Sequence, residues 1–381
     1  MKTLQLGMGW FPEQSGGLNR YYYDCSRYLP EAGVEFQGLI TGSEQIAAIE
    51  DRSIQTFAPT EASLWNRWQG IRRSVKQLKL AEYDLVVAHF ALYNFPVLDC
   101  LANLPLVFHF HGPWALESNA ENPQALKISG KKTLEKIVYR RANRFIVLSQ
   151  AFKDILHQQY SVPLSKIHIV PGGVDLQRFR ISSSQLEARK NLDWEQERTI
   201  LVCVRRLAKR MGLENLLQAI ARVKIHYPDV LLYIAGKGAL AETLQAQIVE
   251  LNLTNHVRLL GYLPDEQLPV AYRAADFSIV PTVSFEGFGL IILESLATGT
   301  PVLGTPVGGI PEILRPLCAD MLFEDTSVDK LTQGIIEVLS GKRQLPNSET
   351  CQAYARDNYA WSVVSPQIKS VYQQAIDDLR A

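Results

Sequence analysis

The stretch Pro281-Thr-Val-Ser-Phe-Glu-Gly-Phe-Gly-Leu-Ile-Ile-Leu-Glu294 joins an apolar strand that ends near Pro281 to a helix that begins near Leu290. Between them lies a glycine-rich turn, where a ligand can approach the backbone closely. The free N–H groups and the dipole of a helix N-terminus favour a diphosphate at such a turn. Glu294, in the first two turns of this helix, can accept hydrogen bonds from the ribose hydroxyls of a nucleotide, and Glu286 can accept them from a sugar.

A plainer interpretation of the same stretch is a capped helix with two surface glutamates, and an isolated pair of carboxylates would favour it. The flanking glycines and the following Gly299-Thr-Pro-Val-Leu-Gly-Thr-Pro-Val-Gly-Gly-Ile-Pro-Glu312 favour the functional interpretation. The residues predicted to bind a nucleotide-sugar here are Gly287, Phe288, Gly289, Leu290, Ile291 and Glu294.

Short apolar strands alternate with amphipathic helices on both sides of this stretch, and the alternation predicts α/β domains with parallel sheets. In the first half the predicted strands are Leu4–Met8, Val34–Ile40, Leu85–Ala88, Leu106–His109 and Phe145–Leu148. In the second half they are Thr199–Val204, Leu231–Ala235, Val257–Leu260, Phe277–Val280, Val302–Gly304 and Met321–Phe323.

A polar segment, Ser182–Arg198, separates the two series and is predicted to be a linker. We therefore expect an N-terminal domain over residues 1–181 and a C-terminal domain over residues 182–361. The periodic last stretch, within residues 362–381, can form a helix that crosses back to the first domain. Ligands of open α/β sheets bind beyond the carboxyl ends of the strands, so we expect two Rossmann-like domains facing across a cleft.

The composition narrows the class of protein. The 381 residues suffice for two domains, and the balance of 39 basic and 39 acidic residues argues against a nucleic-acid-binding protein. The five cysteines are scattered without metal-ligand spacing, as is typical of a reduced, cytoplasmic protein. The start of the chain has the pattern of a strand rather than of a cleaved leader, and no run of about 20 apolar residues could span a bilayer.

The segment from Glu286 to Ile313 resembles the signature of the retaining glycosyltransferases of family four, the group 1 glycosyltransferases, which have the GT-B fold. The resemblance extends over nearly the whole chain and is strongest from residue 199 to 313. It includes Val170-Pro-Gly-Gly-Val-Asp175 and a late Trp361…Tyr372 pattern. It implies two Rossmann-like domains, with a nucleotide-sugar bound mainly by the C-terminal one.

A second motif, Val204-Arg-Arg-Leu-Ala-Lys-Arg-Met-Gly212, follows the first strand of the second domain. The family has Gly-Arg-Leu and then a lysine before glycine, so Arg206 matches the arginine that grips the donor diphosphate. An arginine fork can bind phosphate in bidentate fashion and offset the charge of the leaving group. Met211 stands where the family has lysine, so the missing cation is expected from Arg210 or Lys209; the alternative is a solvated basic loop.

Glycines and a histidine in the first domain give a third group of candidates. Gly16 and Gly17 resemble the family's glycine loop, which would reach the donor phosphates, although a Gly-Gly turn is also common for structural reasons. His111 matches a family histidine, and it could bind the donor sugar or the acceptor hydroxyl or be a satisfied structural residue. Looser candidates for the nucleoside site in the second domain are Gly236, Gly238, Tyr262 and Leu263.

The resemblance implies transfer with retention of anomeric configuration, with Arg206, Glu286 and His111 as catalytic residues. No D-x-D sequence occurs in the chain, so we expect neither a metal nor a cofactor besides the donor substrate. UDP-glucose is the first expectation for the donor, from its frequency in the family. The expected acceptor is a saccharide or lipid-linked saccharide of bacterial polysaccharide biosynthesis. Two rival functions are a UDP-sugar 2-epimerase and a non-catalytic scaffold that binds sugar nucleotides.

A basic, amphipathic segment, residues 64–79, leaves peripheral contact with the inner face of the membrane open. Trp68, Ile71 and Val75 recur at helical spacing among arginines and lysines. The alternative is a helix packed on the first sheet with a solvated basic face. Trp10, Tyr93 and Trp114 could stack on an acceptor sugar or pack in the core.

Overall fold

The computed structural model describes residues 1–46, 53–121 and 125–380. The chain divides into two compact units. One is formed by Met1–Gly173 with Trp361–Ala381, and the other by Val174–Ala360.

The first unit contains a parallel sheet in the order β3-β2-β1-β4-β5-β6-β7. Its strands are β1 (Lys2–Leu6), β2 (Glu35–Thr41), β3 (Ile54–Ala58), β4 (Leu85–Ala88), β5 (Leu106–Phe110), β6 (Arg144–Val147) and β7 (Ile167–Ile169). Its first helices are α1 (Gly17–Tyr28), α2 (Leu64–Gln77), α3 (Ala91–Asn94), α4 (Trp114–Glu121), α5 (Ala125–Arg141) and α6 (Gln150–Tyr160). Strands β4 and β5 are buried along their whole length, as expected for central parallel strands covered on both faces.

The second unit contains a smaller parallel sheet in the order β10-β9-β8-β11-β12. Its strands are β8 (Thr199–Val204), β9 (Val230–Ala235), β10 (Val257–Gly261), β11 (Phe277–Val280) and β12 (Val302–Gly304). Its helices are α7 (Leu176–Phe179), α8 (Gln185–Asn191), α9 (Leu213–His226), α10 (Ala241–Glu250), α11 (Gln267–Ala274), α12 (Leu290–Ala297), α13 (Ile310–Leu317), α14 (Val328–Leu339) and α15 (Ser348–Tyr359). The two alternating α/β sheets agree with the predicted fold class.

The last helix, α16 (Trp361–Arg380), packs on the first unit. The guanidinium of Arg144 on β6 donates two hydrogen bonds to the Asp378 carboxylate, at 2.8 and 2.9 Å. The hydroxyl of Tyr372 lies 2.8 Å from Nε2 of His109 on β5. Helix α16 therefore belongs to the first unit, although it follows the second unit in the chain.

The segment predicted as a linker, residues 182–198, contains helix α8, which the sequence pattern did not indicate. Ser184 and Glu187 form a reciprocal capping box at its start. Arg189, near its end, is buried and donates a 2.8 Å hydrogen bond to Asp276, as well as bonds to backbone carbonyls. The helix is thus fixed by caps and by tertiary contacts, neither of which gives apolar periodicity.

Three other elements differ from the expectation. Residues 321–323 do not form a strand, because Leu322 makes only an isolated bridge to Gly304 after a short 3₁₀ helix, Ala319–Met321. Strands β3 and β7 are additional: β3 has five residues with two adjacent polar residues in its middle, and β7 has only three residues.

Candidate functional site

The loop from Pro281 to Gly289 connects β11 to α12, which begins at Leu290 as predicted. Gly289 caps this helix at a φ of +96°, a conformation that side-chain-bearing residues rarely adopt. Adding a Cβ to Gly308 would place it 1.9 Å from the carbonyl oxygen of Glu286. The backbone N–H of Gly309 donates to that same oxygen at 3.0 Å. A second glycine-rich segment therefore holds the loop from one side.

The carboxylate of Glu286 points to the end of β8, where it pairs with Arg205. Nη2 of Arg205 lies 2.5 Å from Oε2 of Glu286 and 2.6 Å from Oγ1 of Thr282. The Thr282 hydroxyl in turn donates to Glu286 at 3.2 Å. The side chains of Arg205 and Glu286 are only 7% and 13% exposed, so the pair lies in a largely water-excluded environment.

Arg205 was not among the residues that the sequence indicated, whereas its neighbour Arg206 was. Arg206 has an exposed side chain, and Arg205 a buried one. The backbone around Arg205 is fixed by Gly236, since a Cβ there would lie 1.8 Å from the Arg205 carbonyl oxygen. A Cβ on Gly238 would lie 2.3 Å from the carbonyl oxygen of Leu207. These two predicted glycines thus shape the loop that carries both arginines.

Glu294 lies in the second turn of α12 and is half-buried. The hydroxyl of Tyr272 donates to its Oε2 at 3.3 Å. Burial, with the Glu294 carboxylate beside it, raises the pKa of Tyr272 well above its usual range, so the phenol stays a donor. Among the neighbouring candidates, Phe288 is buried, whereas Leu290 and Ile291 are half-buried.

The basic segment after Arg206 forms a 3₁₀ helix, Lys209–Met211. Met211, at the family's lysine position, is 5% exposed and packs in the core of the second unit. Nη1 of Arg210 donates to the carbonyl of Phe285 at 2.7 Å, so this guanidinium supports the Glu286 loop, and Lys209 is exposed. Met211 is therefore a core residue, and its side chain does not occupy the place of a donor-binding cation.

The looser candidates of the second unit lie near the carboxyl ends of β9 and β10. Tyr262 is 47% exposed, and Nζ of Lys237 lies 5.4 Å from its ring centre, a cation–π distance. Leu263, next to it, is half-buried. An exposed aromatic ring at this edge can stack on a nucleobase.

In the first unit, Gly16 caps helix α1 at a φ of +140°, and the helix begins at Gly17. A Cβ added to either residue would meet no heavy atom within 4 Å of the described chain. Packing within the described protein therefore does not require glycine at position 17. The close approach of a ligand to this backbone would explain why glycine is present.

We expect Gly17→Ala to leave the melting temperature unchanged or to raise it, because alanine favours a helix over glycine by up to about 1 kcal/mol. The same change should weaken donor binding about tenfold if phosphates approach this backbone. Gly130→Ala in helix α5 is the matched control, since its Cβ also meets nothing within 4 Å of the described residues. Equal donor affinities for both variants, measured by calorimetry, would contradict the role of Gly17.

His111 follows β5 and belongs to a cluster of three imidazoles with His89 and His109. Nδ1 of His89 lies 3.1 Å from Nε2 of His111, and Nε2 of His89 lies 3.0 Å from Oε1 of Gln5. Burial lowers the pKa of His111 to about 3 and that of His89 well below its usual range, so both rings are neutral at pH 7.

The three histidines could each offer one nitrogen to a metal, all within 4.8 Å of one another. The ring centres of His89 and His111 are 5.4 Å apart, which is about as far as their 3.1 Å nitrogen contact allows. The two nitrogens therefore point at each other along one line. A zinc ion needs nitrogens at about 2.0–2.1 Å, and no point on that short line offers this. The arrangement is that of a hydrogen bond.

Helix α2 turns its apolar stripe inward. Ile71 and Val75 are fully buried, and Nε1 of Trp68 donates to the carbonyl of Leu92. Trp10 and Tyr93 are also buried, as core packing requires, whereas Trp114 is half-buried. Within the described residues no helix is long and apolar enough to cross a membrane.

The structure thus brings Arg205, Thr282, Glu286 and the Arg210-supported loop together in the second unit, whereas Gly16, Gly17 and His111 belong to the first. Residues 184–358 match the family described as glycosyl transferases group 1, and residues 15–178 match glycosyltransferase family 4. The chain belongs to these glycosyltransferases. The resemblance of the segment from Glu286 to Ile313 to the group 1 glycosyltransferases is thereby confirmed.

Among its relatives, this glycosyltransferase is 28% identical over 365 residues to a D-inositol 3-phosphate glycosyltransferase of Segniliparus rotundus, covering 93% of this chain and 78% of that one. It is 29% identical to a GDP-mannose-dependent alpha-(1-6)-phosphatidylinositol monomannoside mannosyltransferase of Mycolicibacterium smegmatis, covering 52% and 54%. An uncharacterised glycosyltransferase of Methanocaldococcus jannaschii is 25% identical, covering 61% and 60%. The matches span less than two thirds of the length of the latter two relatives.

Solved structures resemble the glycosyltransferase over almost its whole length. Sucrose-phosphate synthase of Thermosynechococcus elongatus gives a TM-score of 0.81 at 20% identity, covering 99% of both chains. HepE of Anabaena, in complex with UDP and glucose, gives 0.79 at 21% identity, covering 98% of this chain and 100% of that one. At these identities the likeness concerns the fold, which is the two-domain α/β GT-B fold.

Proposed function

We propose that this glycosyltransferase transfers a hexose from a nucleotide-sugar to a saccharide or lipid-linked saccharide acceptor of polysaccharide biosynthesis. The proposed donor is UDP-glucose, so that the hexose is glucose. The transfer retains the anomeric configuration and needs neither a metal ion nor a further cofactor. The observation that carries the proposal is the Glu286 loop, with a carboxylate held by Arg205 at the amino end of α12.

The site suits a nucleotide-sugar in three respects. The amino end of α12 and the exposed cation of Arg206 supply positive charge for a diphosphate. Glu294, one turn further on, offers a carboxylate to ribose hydroxyls, and Glu286 offers one to sugar hydroxyls. Relatives named for GDP-mannose and a similar structure that holds UDP and glucose support a nucleotide-sugar in general, and UDP-glucose is the choice that we put to the test.

In the proposed mechanism the departing diphosphate helps to deprotonate the acceptor hydroxyl on the same face of the sugar. Arg206 stabilises the charge that develops on the leaving group, and Glu286 positions the sugar ring. His111, neutral at pH 7, accepts a hydrogen bond from a substrate hydroxyl. The arginine and the helix N-terminus take the role that carboxylate-bound metal ions have in other transferases.

A thermal-shift screen of nucleotide-sugars, each with EDTA and with manganese, tests the donor. A ligand that binds the folded state at about 100 times its Kd stabilises the protein by about 2.7 kcal/mol, which is readily seen as a rise in melting temperature. We expect UDP-glucose to give the largest rise, with and without metal. A larger rise with GDP-mannose, or one that needs manganese, would contradict the donor or the metal-free part of the proposal.

Peripheral membrane contact is not part of the proposed function, because the apolar stripe of α2 is buried. Trp65 is the large apolar side chain of this helix that is most exposed, at 65%. We therefore expect no co-sedimentation with anionic liposomes at low salt. Pelleting that Trp65→Ala abolishes would contradict this expectation and show that the amino end of α2 binds lipid.

A further inference from the structure

A chain of hydrogen bonds leads from strand β2 to His111. The first bond of this chain fixes which group donates at every later step. The carbonyl oxygen of Glu35 can only accept, so the Thr3 hydroxyl 2.9 Å away must donate to it. Oγ1 of Thr3 is then the acceptor for Nε2 of Gln5, also at 2.9 Å. This fixes the orientation of the Gln5 amide, whose oxygen therefore faces His89.

The two imidazoles of His89 and His111 continue the chain. Since Oε1 of Gln5 only accepts, Nε2 of His89 carries the proton and donates to it at 3.0 Å. His89 is 1% exposed and neutral, so its Nδ1 is a bare acceptor. Nε2 of His111, 3.1 Å away, must therefore be the donor of that contact. The remaining nitrogen of His111, Nδ1, is left with a lone pair.

We propose that Gln5 and His89 are positioning residues that hold His111 in its Nε2–H tautomer, so that Nδ1 accepts a hydrogen bond from a substrate hydroxyl. The described part of the chain gives Nδ1 of His111 no hydrogen-bond partner, and the side chain is partly exposed. The inference rests on the proposed function, because it needs a sugar hydroxyl at His111. The tautomer itself, however, exists without substrate and can be measured without turnover.

Long-range ¹H–¹⁵N spectra of the full chain labelled at histidine, recorded at pH 8 without ligand, distinguish the two tautomers directly. His157 is an internal reference for the opposite form, because its Nδ1 lies 2.9 Å from the carbonyl of Val162 and must donate to it. We expect His89 and His111 as Nε2–H tautomers and His157 as the Nδ1–H tautomer. A His111 signal with the Nδ1–H pattern, or an even mixture, would overturn the proposal.

Gln5→Met removes the acceptor, so both rings should become tautomer mixtures and kcat/KM should fall about five- to tenfold, the usual scale of one lost hydrogen bond. Thr3→Val, which keeps the side-chain shape, frees the Gln5 amide to turn and should act in the same direction. Tyr22→Phe is the matched control, because Tyr22 donates to the backbone carbonyl of Gln5 at 2.9 Å and lies outside the relay.

Unchanged His111 signals in both Gln5→Met and Thr3→Val would overturn the relay, and so would a change of equal size in Tyr22→Phe. If Gln5→Met does not fold, the wild-type spectrum and Thr3→Val still decide. An active transferase with the wrong tautomer would refute the relay and leave the proposed function standing. The expected tautomer in a chain that transfers no sugar would support the relay and refute the function.

Discussion

Replacing Arg206 by alanine will lower the kcat of sugar transfer about a hundredfold or more and leave the melting temperature within about 1 °C of the wild type. The side chain is exposed, and surface substitutions of this kind usually change stability by less than about 0.5 kcal/mol. A preorganised donor aimed at the charge that develops on a leaving group is worth about 10²–10³ in kcat. Initial rates with UDP-glucose and a melting curve of the same preparation measure both effects.

Arg222→Ala is the matched control for this prediction. Arg222 is an exposed arginine on α9 of the same unit, paired with Asp329, and its replacement removes the same charge from the protein. We expect its kcat to equal that of the wild type. A near-wild-type kcat for Arg206→Ala would show that Arg206 has no part in the mechanism. A loss of equal size in Arg222→Ala would show that the lower kcat comes from the change in net charge of the protein.

Replacing Arg205 by methionine will have the largest expected effect on stability, a loss of about 3 kcal/mol in the free energy of unfolding. The change leaves the Glu286 carboxylate, 13% exposed, without its cation, and breaking a buried ion pair by removing one partner costs about 3–5 kcal/mol. Methionine keeps much of the length of the arginine stem, so the cavity that remains is small. Urea denaturation measures the difference.

The double variant Arg205→Met/Glu286→Gln separates the ion pair from the packing around it. Removing both charges should recover at least half of the lost stability, because a neutral amide is cheaper to bury than an unpaired carboxylate. A double variant as unstable as Arg205→Met alone would show that the arginine acts through packing instead.

The glycine-rich turn and the two sheets were predictable because their signals are local. Gly289 and the apolar run after it indicate the start of α12. Buried parallel strands are recognisable because they give continuous apolar runs. The helix α8 was not predictable in this way, since it depends on a capping box and on Arg189, two of whose partners, Ala274 and Asp276, lie 85 and 87 residues further along the chain. Contacts of that range are invisible to periodicity.

The sequence did not predict which of the two arginines, Arg205 or Arg206, pairs with Glu286. Neighbouring residues at the end of a strand point in different directions, and which one meets Glu286 depends on how the loop leaves β8. One feature of the sequence did point to Arg205. It stands where the family has glycine, so this chain carries an additional long cationic side chain at the edge of the site. Met211 was a similar case, because only the packing shows that it is a core residue.

One measurement tests the central claim most directly: ¹H NMR of UDP-glucose incubated with the purified chain in D₂O and EDTA, with water as the acceptor. A retaining, metal-free transferase should slowly release glucose that is first seen as the α-anomer, with UDP as the other product and no deuterium at C2 of the sugar. Glucose that first appears as the β-anomer, exchange at C2, or a donor that stays intact until a metal ion is added would contradict it.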